Sequence, residues 1–149
     1  VLDAEVTHVI LELGVNDIGL AGVEGSAVPS AEAIIGGLST LAERAAAAGL
    51  VVIGATLTPH RGTRYPGFSS EAGEEIREAV NHWIRGAACF AAVLDIDAAL
   101  RDPERDGCIA PDLDYGDGLH PNDAGHRAIA EAFDAAVLNS VGVSAFCDA

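Results

Sequence analysis

Near its C-terminal end the chain reads DGLHPNDAGH over residues 117–126, with Asp117 three residues ahead of His120 and Pro121 directly behind it. Imidazole exchanges protons near neutral pH, which suits a histidine to general acid–base work. A carboxylate bonded to Nδ1–H fixes the tautomer and stabilises the imidazolium formed when Nε2 takes a proton. Asp117 and His120 are thus a candidate orienting acid and general base, and Pro121 stiffens the turn and starts a helix. A second stretch, LELGVNDIG at 11–19, ends a strand-like run. The Asn16 carboxamide can donate an N–H to a developing oxyanion. Gly14 relieves crowding at this turn, and Asp17 reads as a partner for nearby backbone amides. Taken singly, GVND is equally an ordinary strand-to-loop turn and DGLHP equally a loop with a surface histidine. His8 and His60 read as structural or solvated, and His126 as exposed one turn into a helix.

The acidic run DLDYGDG at 112–118 does not fit a calcium loop. Counted from Asp112, position 6 is Asp117 where glycine is required, and position 12 is Asp123 where glutamate is required. His120 and His126, six apart, do not share a helical face as zinc ligands would. Neither a metal nor a cofactor is expected.

These residues need elements to bring them together. Val6–Leu13, rich in β-branched and aliphatic side chains, reads as a largely buried strand, followed by a Gly-rich loop. Ser30 caps a helix with Ile34, Ile35, Leu38, Leu41 and Ala45 on one face, ended by Gly49. Residues 50–58 form a second strand, stopped by Pro59. The loop PHRGTRYPGFSS reads as a pocket rim where Arg61 or Arg64 meets a polar or acidic substrate. Ile76, Val80, Trp83 and Ala87 mark the next helix, 91–96 a third strand, and 122–138 a last helix with Ile129, Phe133 and Val137 inward. The β-α-β-α-β-α order of buried-type strands predicts a parallel sheet. In such sheets ligands bind beyond the carboxyl ends of the strands. GVND, TLTPH and the DGLHP loop all leave those ends, so the topology brings Asn16 to His120 across 104 positions.

Composition narrows the functional classes. With 149 residues, half of them apolar, the chain closes one core as a single domain, 1–149, with a less regular tail at 139–149. A net charge of −15 argues against electrostatic binding to nucleic acid or anionic membranes. No apolar run is long enough to span a bilayer. The start without methionine points to processing or to a longer parent chain. Three cysteines, Cys89, Cys108 and Cys147, permit one disulfide with one free thiol. Together with that start they leave the compartment open while leaning toward export.

The two chemical stretches resemble two blocks of the SGNH hydrolases, the GDSL-type lipases and acylhydrolases. The Gly-x-Asn-Asp block matches at Gly14-Val15-Asn16-Asp17, and the Asp-x-x-His-Pro block at Asp117-Gly118-Leu119-His120-Pro121. The resemblance covers roughly residues 5–138. It implies a three-layer α/β/α fold like flavodoxin and a serine-type ester hydrolase without a cofactor. His120 would be the base, Asp117 its partner and Asn16 an oxyanion donor. The implied substrates are esters of sugars, lipids or small alcohols.

One departure is large: the family's Gly-Asp-Ser nucleophile block is nowhere in the chain. No Gly-x-Ser-x-Gly elbow replaces it, and none of the serines follows a predicted strand. In the family the strand carrying that block pairs with the one corresponding to Val6–Leu13. The expectation is therefore a C-terminal two-thirds of a longer hydrolase, inactive alone, with Val6–Leu13 as an apolar edge open to self-association. The alternative is a non-catalytic binding domain on a decayed hydrolase scaffold, paired through that edge. A nucleotide-binding domain ranks below both, because no G-x-G-x-x-G or Walker A pattern follows a strand.

Overall fold

The computed structural model describes residues 6–24 and 27–134. The tail at 139–149, Val137 and Cys147 lie outside them. Three parallel strands form one sheet in the order β1 (His8–Leu11), β2 (Val51–Ala55), β3 (Ala92–Leu94). Alternate side chains of a strand point to opposite faces. Val52 accordingly joins a core with Ile18, Ile34, Leu38, Val80 and Ile84, drawn from α1 (Val15–Glu24), α2 (Ala31–Ala47) and α3 (Glu71–Gly86). Ile53, Ala55, Ala92 and Leu94 face the other way, toward α4 (Ile96–Leu100) and α5 (Asp123–Phe133), with Ile129 and Phe133 packed against them. This is an α/β/α sandwich.

Local sequence explains the helix starts. Ser30, Ser70, Asp95 and Asn122 each cap a helix by accepting backbone N–H bonds from its first turn. After α2 the chain turns through Gly49 at φ +80, where a side chain would be strained.

Three readings of the sequence need correction. The stretch after Gly14 is the helix α1, not a Gly-rich loop. It starts with the Ile18 N–H donating to the Gly14 carbonyl at 3.1 Å, and it buries Ile18 completely. The five-residue α4 was too short to show a helical period. The first strand is shorter and less buried than its composition predicts, spanning His8–Leu11 with alternate residues exposed. It is an edge strand: Ile10 lies opposite Ile53 yet is 47% exposed, because α4 and α5 cover the sheet over β2 and β3 only.

A buried polar network, invisible to a hydrophobic pattern, joins α3 to the strand ends. Arg77 bonds Glu74 at 2.6 and 2.9 Å, Asp97 at 2.7 Å and the Leu57 carbonyl at 3.3 Å, and all three side chains are buried. Asp97 also accepts from Arg85 at 2.6 Å and from Arg101. Burial works against the Arg77 charge, but its bonds and ion pairs with Glu74 and Asp97 win and raise its pKa. Asn81 holds both peptide groups of Leu57, accepting from its N–H at 2.7 Å and donating to its carbonyl at 2.9 Å.

His60 is structural, as one of its sequence readings had it, and not solvated. It is fully buried beside Phe68, and neither ring nitrogen meets a hydrogen-bond partner among the described residues. Burial first, and the Arg77 cation second, lower its pKa below 6.5, while Glu74 opposes them weakly. The folded chain therefore keeps His60 neutral at pH values where the unfolded chain protonates it. Its contribution to stability is complete above about 6.5 and declines as pH falls below that value. Urea midpoints measured from pH 8 to pH 5 should fall more steeply for the wild type than for His60→Leu. Parallel curves would refute this assignment.

Candidate active site

The loop from Leu113 to Asn122 is tied shut at its base. The Asn122 N–H donates to the Leu113 carbonyl at 2.8 Å, and the Tyr115 N–H to the His120 carbonyl at 2.9 Å. Asp114 uses its carboxylate inside this loop, accepting from the Gly116 and Gly118 N–H groups at 3.0 Å. The acidic run thus serves to fold the turn. Asp117 sits at its centre with both oxygens occupied. Oδ1 accepts from the Leu119 and His120 N–H groups at 3.0 and 2.9 Å, and Oδ2 lies 2.8 Å from His120 Nδ1. Burial alone would raise the Asp117 pKa. The bonds from the His120 ring and from the two backbone N–H groups overcome it and bring the value down to about 2. The carboxylate therefore stays ionised at any pH where imidazole titrates, as an orienting partner must.

Exposure divides the labour between them. The Asp117 side chain is 5% exposed and that of His120 63%, so the acid is fixed in the protein and the imidazole is presented to solvent. Nδ1 is engaged by Asp117, and Nε2 bonds no described residue.

His120 opens onto a cleft of about 480 Å³ beyond the carboxyl ends of the strands, lined also by Gly14, Asn16, Asp17 and Pro121. Asn16 and Asp17 stand exposed on the first turn of α1, and Gly14, at φ +131, makes the turn from the strand into that helix. A side chain at Gly14 would also press on Ile34 and Leu57, 3.2 and 3.3 Å from its Cβ. Asp17 does not bond nearby amides as its sequence reading has it; its carboxylate accepts no bond from a described residue and lines the cleft.

Thr58, in the TLTPH segment that the strand-end rule brings to this edge, lines the cleft as well. The sequence reading missed Glu12, Ile96 and Ile129 of the lining; Ile96 and Ile129 lie on helices whose approach only the packing sets. His126 is exposed, as its position in the helix predicts, and lines the cleft as well. The Pro59–Ser70 segment is not the rim of this cleft. Arg61 is paired with Glu71 at 2.6 Å and Asp106 at 3.3 Å, Arg64 lies over the Tyr65 ring, and neither lines the cleft. Partial loss of hydration raises the Glu12 pKa. Cys89 and Cys108 are free thiols.

The model of the GDSL-like lipase/acylhydrolase family matches residues 1–128, and the chain is a member of that family. Solved structures with the same fold include a GDSL-like lipase from Bacteroides thetaiotaomicron, 17% identical with a TM-score of 0.68. That match covers 87% of this chain and 60% of the lipase. A protein of Bacteroides fragilis, provisionally titled an acylhydrolase, is 16% identical with a TM-score of 0.69, over 87% of this chain and 60% of that one. The chain thus spans about 60% of the length of these structures. No curated protein sequence matches it. Among the described residues, no helix is long and apolar enough to cross a membrane.

Proposed function

We propose that this chain carries the base and part of the oxyanion hole of a serine-type ester hydrolase, whose nucleophilic serine lies on a segment preceding Val1 in a longer protein. The observation that carries the reading is the 2.8 Å bond from buried Asp117 to an exposed His120 in the cleft that Asn16 also lines. Family membership and the fraction of the solved structures that the chain spans support it.

In this reading His120 Nε2 takes the proton of the serine hydroxyl as its oxygen bonds to the ester carbonyl carbon. The carbonyl oxygen becomes an oxyanion, to which Asn16 donates an N–H. Collapse of this intermediate breaks the bond to the alcohol, which leaves with the proton from His120. Water then repeats the cycle on the acyl-enzyme, with no cofactor. The substrates are small esters of sugars, lipids or simple alcohols.

The full-length protein should hydrolyse 4-nitrophenyl acetate and be labelled by a fluorophosphonate serine probe. Absence of both would sink the reading. Replacing Asn16 by alanine should lower kcat by about 10²- to 10³-fold, the usual cost of one oxyanion donor. A kcat unchanged by this replacement would remove Asn16 from the mechanism.

One observation favours a second reading, a non-catalytic domain that associates through its edge. Ile10 in β1 is 47% exposed and Val6 and Leu13, just before and after it, are 38% and 51% exposed, and such an edge invites strand pairing. This reading requires a dimer joined at β1 and no ester turnover. Sedimentation of the full-length protein as a monomer would rule it out.

A further inference from the structure

The Asp117–His120 pair is held from behind by a segment that the cleft does not include. Thr63 is buried, and its hydroxyl donates to the Asp117 carbonyl at 3.0 Å. The Arg64 N–H reaches the same carbonyl at 3.3 Å. The Thr63 hydroxyl is in turn the acceptor for the Tyr65 N–H at 3.3 Å, so it is used in both directions. Gly118, at φ +72, lies flat against this segment: a Cβ there would stand 2.5 Å from the Gly62 carbonyl oxygen and 2.7 Å from the Thr63 Cα. The segment is itself anchored. The Arg61 N–H donates to the Gly107 carbonyl at 2.9 Å, the Thr63 N–H to the His60 carbonyl at 3.1 Å, and the Arg61 guanidinium is clamped by Glu71.

Asp117 is therefore fixed at two ends. Its carboxylate binds the turn that carries His120, and its peptide carbonyl binds the 62–64 segment. A shift of that carbonyl would carry the carboxylate with it and loosen the bond to Nδ1. We propose that Thr63 is a positioning residue, whose hydroxyl locks the Asp117 peptide and thereby the orientation and tautomer of His120. The role rests on the reading of His120 as the general base, but the geometric claim can be tested without it.

Thr63→Val keeps the shape and removes the hydroxyl, and Thr63→Ser keeps the hydroxyl. In the 149-residue chain with ¹⁵N-labelled histidine, ring ¹H–¹⁵N correlation spectra report the tautomer of His120, and a low-field proton signal reports Nδ1–H bonded to a carboxylate. The wild type and Thr63→Ser should show the low-field signal and one tautomer. Thr63→Val should lose the signal and populate both tautomers, while its backbone amide spectrum elsewhere stays that of the wild type. In the full-length protein Thr63→Val should lower kcat about five- to tenfold, the usual reach of one neutral hydrogen bond. KM should stay within about twofold, since the change acts on the base and not on uniform substrate binding. A Thr63→Val spectrum identical to the wild type would overturn the proposal, as would a Thr63→Ser variant that behaves like Val. The predicted spectra in a full-length protein that turns over no ester would leave Thr63 as the positioning residue and discard the hydrolase reading instead.

Discussion

Replacing His120 by alanine in the full-length protein should, on the proposed function, lower kcat by roughly 10⁴- to 10⁶-fold, as removal of the base does in serine hydrolases. KM should change little. The reason lies in how the turn is built. Asp117 Oδ1 is held by two backbone N–H groups that survive the substitution, and Oδ2 alone loses its partner. The loop is also closed by bonds from the Tyr115 and Asn122 N–H groups, neither of which uses the imidazole. The variant should therefore fold, bind ester and fail at proton transfer. Steady-state hydrolysis of 4-nitrophenyl acetate, with the rate of fluorophosphonate labelling beside it, measures the effect. Turnover within tenfold of the wild type would mean that another group takes the proton, with His126, in the same cleft, the first to examine.

The largest effect on stability should come from Arg77→Met. Methionine fills much of the space but leaves Glu74, itself 3% exposed, as a buried carboxylate without the one cation it bonds among the described residues. Removing one partner of a buried pair costs about 3–5 kcal/mol, because the remaining charge is left unpaired. Asp97 suffers less, since Arg85 and Arg101 still bond it. The double variant Arg77→Met/Glu74→Leu should recover most of the loss, as buried ion pairs replaced by apolar residues are often neutral in stability. Urea denaturation of the 149-residue chain gives both values. A single variant that loses under about 1 kcal/mol would show that water reaches Glu74 and that the network is not sealed. The same network borders the cleft, because Asn81 and Arg77 hold Leu57, the residue before Thr58.

Much of the fold was legible because it is written in short spacings. The α2 cap at Ser30, the turn at Gly49 and the inward faces of α2 and α5 follow from residues three or four apart, except that Leu41 of the expected α2 face is exposed and Ala42 is buried instead. The same holds for Asp117 and His120, whose bond spans three positions and closes within a single turn. Gly14 was legible as the turn that follows a strand, but α1, which carries Asn16 in its first turn, was not. Glycines at 14 and 19 and a short apolar period suggested a loop, whereas packing of Ile18 under α3 makes the segment helical.

The sequence by itself determined the order of parallel strands and helices, the convergence of their loops at one edge, and the acid–base pair on the last of those loops. Only the tertiary structure decided what stands behind that pair. Thr63 reaches Asp117 across 54 positions and Arg77 reaches Asp97 across 20, and in the sequence each looks like a solvated polar residue. A hydrophobic pattern records which side chains avoid water, not which polar ones find partners out of it. The edge position of β1 was expected, but not that Ile10 on its face would be uncovered, because coverage depends on where α4 and α5 come to rest on the sheet.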